Sequence, residues 1–161
     1  IVETETQNTF VSQFLNFHPF SIEHERHLAS SFLMIKDNLI TGIGANNFRI
    51  KCNEDKYYIG GGCSTHPHNT HIQLLLEVGL IGYLPFLLFY FYLIYLFFYN
   101  FFHKSISDIN KNIASHFFYF SFIINLFPLI PSGNFFNNWL SIYFYLSLGF
   151  IFITNSRLIS R

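Results

Sequence analysis

Residues 73–99 read QLLLEVGLIGYLPFLLFYFYLIYLFFY, and the fold class follows from them. A helix rises 1.5 Å per residue, so about 20 apolar residues cross the ~30 Å hydrocarbon core of a bilayer. Within the stretch, Phe86–Phe98 (FLLFYFYLIYLFF) holds no charge and is a surface that water cannot face. Glu77 is the single charged residue, and it sits in the first turns, near the interface, where a carboxylate is tolerable. Pro85 is expected to kink this helix or to mark its re-start. The whole chain matches the stretch: 51% of its 161 residues are hydrophobic and 21% aromatic, with 23 Phe and 10 Tyr. Only 11% are charged, against about 25% in an average soluble domain.

Two further spans are expected downstream. One covers about Ile113–Ile130 and ends at Pro128 and Pro131; the other covers about Leu140–Thr154 and is short, a deficit that tilt and local thinning absorb. Between them Ser132–Asn138 (SGNFFNN) reads as a tight connection, with Trp139 at an interfacial position. The polar loop Asn100–Asn112 carries Lys104 and Lys111, and the tail carries Arg157 and Arg161. Three spans put loop and tail on one side, which the positive-inside rule makes cytoplasmic. Residues 1–72 then form a loop region on the outer, periplasmic side of a bacterial inner membrane, and residues 73–161 the transmembrane region. The fold class expected is all-α: polytopic membrane helices behind a periplasmic loop that holds an amphipathic helix.

That amphipathic helix is expected over Ile22–Asn38. Leu28, Phe32 and Ile35, with Leu33 and Met34, recur at three- and four-residue spacing. Ser21, Glu23 and Glu25 suit its start and Asn38 and Gly42 its end. Residues 1–22 lack a period and read as loop; Thr41–Ala45 (TGIGA) reads as a turn before Phe48–Lys51, and Gly60–Gly62 as a second flexible break. The net charge of zero hides five basic against eight acidic residues over 1–77, and four basic against Asp108 alone beyond. Nucleic-acid binding wants clustered Lys and Arg with a basic balance, so that class is excluded. The chain opens on Ile1 in polar sequence, with no charged and apolar leader in view. Since the outer loop must nevertheless reach the far side, a C-terminal piece of a longer protein is expected.

The chemistry concentrates in Cys63–Gly82 (CSTHPHNTHIQLLLEVGLIG), where His66, His68 and His71 crowd the approach to the first span. Asn69 or Thr70 suits the helix N-cap, which turns unpaired N–H groups and a partial positive charge toward the histidines, a setting that attracts phosphate. Neutral imidazole accepts a proton near working pH. Histidine beside a phosphate-seeking helix end at a membrane surface suits reactions on lipid-linked phosphates. Cys63 with the three histidines also has zinc-ligand types, but four ligands so tightly spaced must wrap one ion across a Pro and a helix start. The two cysteines, Cys52 and Cys63, both fall on the oxidising side, which leaves open either a disulfide closing this loop or two thiols.

The same residues resemble the O-antigen ligase and polymerase family of bacterial membrane glycosyltransferases. His66-Pro67-His68-Asn69 stands where that family has H-x-H-N, and Ile72–Gly82 (IQLLLEVGLIG) is similar to its LxxLxExGLIG helix, with Ile at the first position. Upstream, Arg26, a helix, Gly42-Ile43-Gly44 and Phe48 look like its periplasmic loop, so the resemblance spans about Glu23–Phe91. It implies metal-independent, cofactor-free transfer of a glycan from undecaprenyl diphosphate to lipid A–core, another glycan repeat or a protein, with membrane lipid around. On that resemblance His68 is the candidate base and Arg26 the residue pairing with the donor diphosphate. His66, Asn69, Arg49 and Glu77 are the implied substrate-binding residues. Readings from other classes are a transport or assembly module, disfavoured by spans almost free of charge, and a metal-dependent hydrolase built on the histidines.

Overall fold

A computed structural model describes residues 21–103 and 113–159. Of the loop expected over residues 1–22, residues 1–20 lie outside that range, as do most of the Asn100–Asn112 loop and the last two residues of the tail. The described chain is all-helical. Five helices follow one another: α1 (Ile22–Asp37), α2 (Phe48–Lys51), α3 (Thr70–His103), α4 (Ile113–Asn125) and α5 (Asn138–Ile159). Helix α3 packs against α1 on one side and α4 on the other, and α4 packs against α5.

At 34 residues α3 is about 50 Å long by helical rise, and it is the described helix that by length and apolar composition can cross a membrane. It is not one rod. Gly79 has φ 64° and ψ −174°, which splits it into Thr70–Val78 and Leu80–His103, while the backbone through Pro85 stays helical. The kink expected at Pro85 is therefore six residues earlier. Proline fixes φ near its helical value and removes one bond, whereas Gly79 adopts a left-handed φ that side chains resist.

The turn after α1 fills the break. Ile43 N–H donates to Leu76 C=O at 2.9 Å and Gly44 N–H to Glu77 C=O at 2.9 Å. In return Leu39 C=O accepts from Leu80 N–H at 2.9 Å, and Ile40 C=O from Ile81 N–H at 3.3 Å. Residues 39–44 thus take over backbone groups that the interrupted helix leaves without intrahelical partners. The approach is so close that a Cβ on Gly79 would collide with Ile40 C=O, and one on Gly42 would meet the Glu77 backbone at 2.6 Å.

Each side of the break has its own core. On the loop side Met34, Ile35, Ile43, Phe48, Cys52, Tyr57 and Leu76 are buried together, and Cys52 is disulfide-bonded to Cys63, the first of the two options the sequence leaves open. The apolar stripe of α1 is only partly the buried one: Met34 and Ile35 are inside, but Leu28 and Phe32 are half-exposed. The buried face of α1 instead includes Glu25, His27, Ser30 and Ser31. Ser30 Oγ donates to Tyr57 C=O at 2.8 Å, and Ser31 Oγ to His27 C=O at 2.7 Å.

On the other side Tyr90, Leu93, Tyr119, Phe122, Leu126 and Ile151 form a core joining α3, α4 and α5. Phe118 and Phe150 stack at 4.3 Å between centroids. Outward the same helices expose Leu88, Phe91, Phe117, Phe120 and Tyr143. Where lipid replaces water, helix association rests on such close packing rather than on apolar burial. Helix α4 ends at Asn125, earlier than the span expected to reach Ile130, because Pro128 and Pro131 lie just ahead; α5 is longer than its expected Leu140–Thr154.

Candidate functional site: a histidine cluster beside a polar cavity

Four histidines meet where α1 faces the start of α3. The His68 ring lies 5.3 Å from those of His24 and His27 and 4.1 Å from that of His66, centroid to centroid. His24 and His27 come from one face of α1 by their three-residue spacing, a contribution that the H-x-H-N stretch alone does not disclose. Their spacing in EHERH was the signal available.

His68 is held in an unusual backbone state. It has φ 57°, it follows the fully buried Pro67, and its carbonyl accepts the Ser132 N–H at 2.9 Å. Non-glycine residues in this region are uncommon and concentrate at functional sites. The Nε2 of His68 lies 3.1 Å from the Ser64 hydroxyl. Burial, then the neighbouring His66, His27 and His24, push its pKa down to about 4. Burial likewise lowers His66, partly offset by the Ser132 carbonyl. Both rings are therefore neutral near pH 7 and have a lone pair to offer.

The remaining partners fix which rings are oriented and how. A carbonyl can only accept, so His27 Nδ1–H donates to Gly62 C=O at 2.9 Å and His66 Nε2–H to Ser132 C=O at 3.3 Å. His66 Nδ1 then accepts from the Thr65 hydroxyl at 2.9 Å. His71, the second residue of α3, belongs to packing. Its Nε2–H donates to Leu126 C=O at 2.7 Å, and its Nδ1 faces the Tyr83 hydroxyl at 3.0 Å.

The other expected site residues separate. Arg26 is half-buried and lies over Gly61, its Nη1 3.3 Å from where a Cβ there would stand. Gly62 allows the Arg26 carbonyl a similar approach, so this glycine run is a seat for α1 rather than a flexible break. Asn69 is the N-cap: its Oδ1 accepts Ile72 N–H at 3.0 Å, and its Nδ2 donates to Pro128 C=O at 2.6 Å. The helix end read as a phosphate seat is thus already occupied in part by this side chain.

Glu77 is fully buried and makes no bond to His68 or Arg26 among the described residues. Its Oε2 accepts Asn46 N–H at 2.8 Å. Asn46 is a second left-handed residue, at φ 60°. Gln73, also fully buried, reaches across to the 132–137 turn: its Nε2 donates to Asn134 Oδ1 at 2.8 Å, and its Oε1 accepts Phe135 N–H at 2.9 Å. That turn is therefore no plain polar connection. It is bolted to the start of α3, again through Thr70 and Ser132, whose hydroxyls are 2.7 Å apart.

Residues 23–87 match the family model described as O-antigen ligase. The matched segment runs from α1 through the disulfide-closed loop to the break at Gly79 and just beyond, and it includes all four clustered histidines and Arg26. The O-antigen ligase resemblance expected over about Glu23–Phe91 is borne out on those residues. No curated protein and no solved structure matches the chain.

Proposed function

We propose that the chain carries part of the outer-face site of a membrane glycosyltransferase of O-antigen ligase type. The observation that carries this reading is that the family match over residues 23–87 coincides with the one segment that folds around a neutral, strained His68. The acceptor's hydroxyl gives its proton to His68 as its oxygen attacks the anomeric carbon of the donor. A new C–O bond forms there, the C–O bond to phosphate breaks, and the diphosphate leaves on its polyprenyl carrier. Arg26 pairs with that diphosphate as charge builds on it. Burial of His68 beside the other histidine rings favours this use, because a histidine kept unprotonated is available as a base at neutral pH.

The donor is a glycan on undecaprenyl diphosphate, and the acceptor that of ligation, the lipid A–core sugar. Polymerase and protein-glycosylating relatives would use the same segment with other acceptors. The setting is the bacterial inner membrane, with residues 1–72 periplasmic and the C-terminus cytoplasmic. The lysines and arginines of the Asn100–Asn112 loop and the tail support this orientation. In α3 the crossing part is 80–103, and Thr70–Val78 belongs to the outer site.

The test is complementation of a strain that lacks its own ligase, with the full-length protein bearing His68→Ala or Arg26→Ala. Loss of polysaccharide on lipid A–core, with normal protein levels in the membrane, is expected. Normal attachment by both variants would sink the proposal.

A further inference from the structure

Beside His66 a polar cavity of about 350 Å³, with no α1 residue in its walls, is lined by Asn46, Arg49, Thr65, His66, Asn134 and Asn137. Three stretches far apart in sequence supply it: the end of the TGIGA turn with α2, the histidine loop, and the 132–137 turn. Its size falls in the range of small-molecule sites. Its walls are set by buried groups rather than by chance: Glu77 pins Asn46 from below, and Gln73 pins Asn134. Asn134 Nδ2 in turn donates to Asn46 Oδ1 at 3.3 Å, which closes the ring of contacts between the two loops.

The chemistry of the lining is selective. Amides offer both donors and acceptors, the Thr65 hydroxyl and His66 add more, and Arg49 brings five N–H donors. No carboxylate lines the cavity, and among the described residues none forms an ion pair with Arg49. Such a set suits vicinal hydroxyls and ring oxygens of a sugar, neutral or mildly acidic. It does not suit a cation, and with one guanidinium it lacks the convergent positive charge of a diphosphate seat. Arg26, the residue proposed for the diphosphate, lies instead on α1 beside Gly61.

We infer that this cavity binds the acceptor saccharide, with His66 as the wall between it and His68. The inference rests on the glycan-transfer reading and deepens it: donor phosphate and acceptor sugar approach the histidine cluster from different sides. Arg49, Asn134 and Asn137 are then specificity residues for the acceptor, not for the donor.

The experiment is saturation-transfer NMR on the purified full-length protein in nanodiscs. The probes are methyl glycosides of glucose, galactose and N-acetylglucosamine, with inorganic diphosphate as a separate arm. At least one glycoside is expected to show transfer, weakened tenfold or more by Arg49→Ala and by Asn134→Ala and unchanged by Lys56→Ala. Arg49 is exposed, and among the described residues its side chain forms no hydrogen bond or ion pair, so its variant keeps the test meaningful if Asn134→Ala fails to fold. In transfer assays Arg49→Ala should raise the acceptor KM and leave the donor KM alone.

Absence of glycoside binding, equal binding by Arg49→Ala, or diphosphate binding that Arg49→Ala abolishes would each overturn the inference. If His68→Ala is inactive while Arg49→Ala keeps a normal acceptor KM, the glycan-transfer reading survives and this site does not. If glycosides bind through Arg49 and Asn134 but no transfer depends on His68, the site survives without that reading.

Discussion

At the scale of single residues, His68 joins a strained backbone to a depressed pKa. Its folded value of about 4 lies below the ordinary 6.5, so the unfolded chain binds the proton more readily. Stability from this group is then fully present above pH 6.5, falls as pH drops toward 4, and levels off below. The pH profile of kcat/KM should accordingly keep its acid limb near or below pH 5 rather than at 6.5; an inflection at 6.5 would show that the cluster does not hold His68 neutral. Glu77 makes a second residue-scale case. Glu77→Gln keeps an acceptor for Asn46 N–H and should cost little. Glu77→Ala strands that N–H and should cost about 1–3 kcal/mol, read as a lower midpoint in thermal unfolding of the detergent-solubilised protein.

At the scale of elements, the break in α3 decides how the turn after α1 meets the long apolar part of that helix. Residues 39–44 can bond into α3 only because Gly79 turns its backbone to φ 64° and leaves room for Ile40. Gly79→Ala forces a side chain into a left-handed φ and against that carbonyl, so a loss of about 1–3 kcal/mol is expected from the backbone alone. Hydrogen exchange should show the loss as faster exchange at Ile43, Gly44, Leu80 and Ile81 N–H, with the far end of α3 unchanged. Pro85→Ala, by contrast, should leave those amides as they are. A uniform change along α3 in either variant would contradict the break as the joint between the two cores.

At the scale of the whole molecule, two cores stacked along α3 divide the histidine-bearing loop region from an apolar helical body. If α3 crosses the bilayer from 80 to 103, a membrane-impermeant thiol reagent added to intact spheroplasts should label Tyr58→Cys. It should not label Asp108→Cys until the membrane is opened. Labelling of both from outside would remove the proposed orientation.

Much of this was legible in the amino-acid order, and the reasons are local. Apolar runs long enough to span a bilayer, the Asn69 cap and the α1 boundaries depend on neighbours within a turn or two, which sequence spacing reports. The family segment was legible through His66–Asn69 and Ile72–Gly82. The position of the helix break was not, since an apolar pattern does not disclose a positive φ and Pro85 offered the stronger local signal. Nor was the site's wider membership: His24 and His27, the Gln73 and Glu77 braces, and the pairing of Asn134 with Asn46 across 88 residues. Those follow from bonds that only a folded chain can close, because a buried amide or carboxylate takes its partner from whatever backbone the packing brings within reach. Apolar run length and local spacing were enough to read a helical, membrane-type chain with three histidines around the start of α3, whereas the neighbours of those histidines depend on long-range packing that spacing does not report.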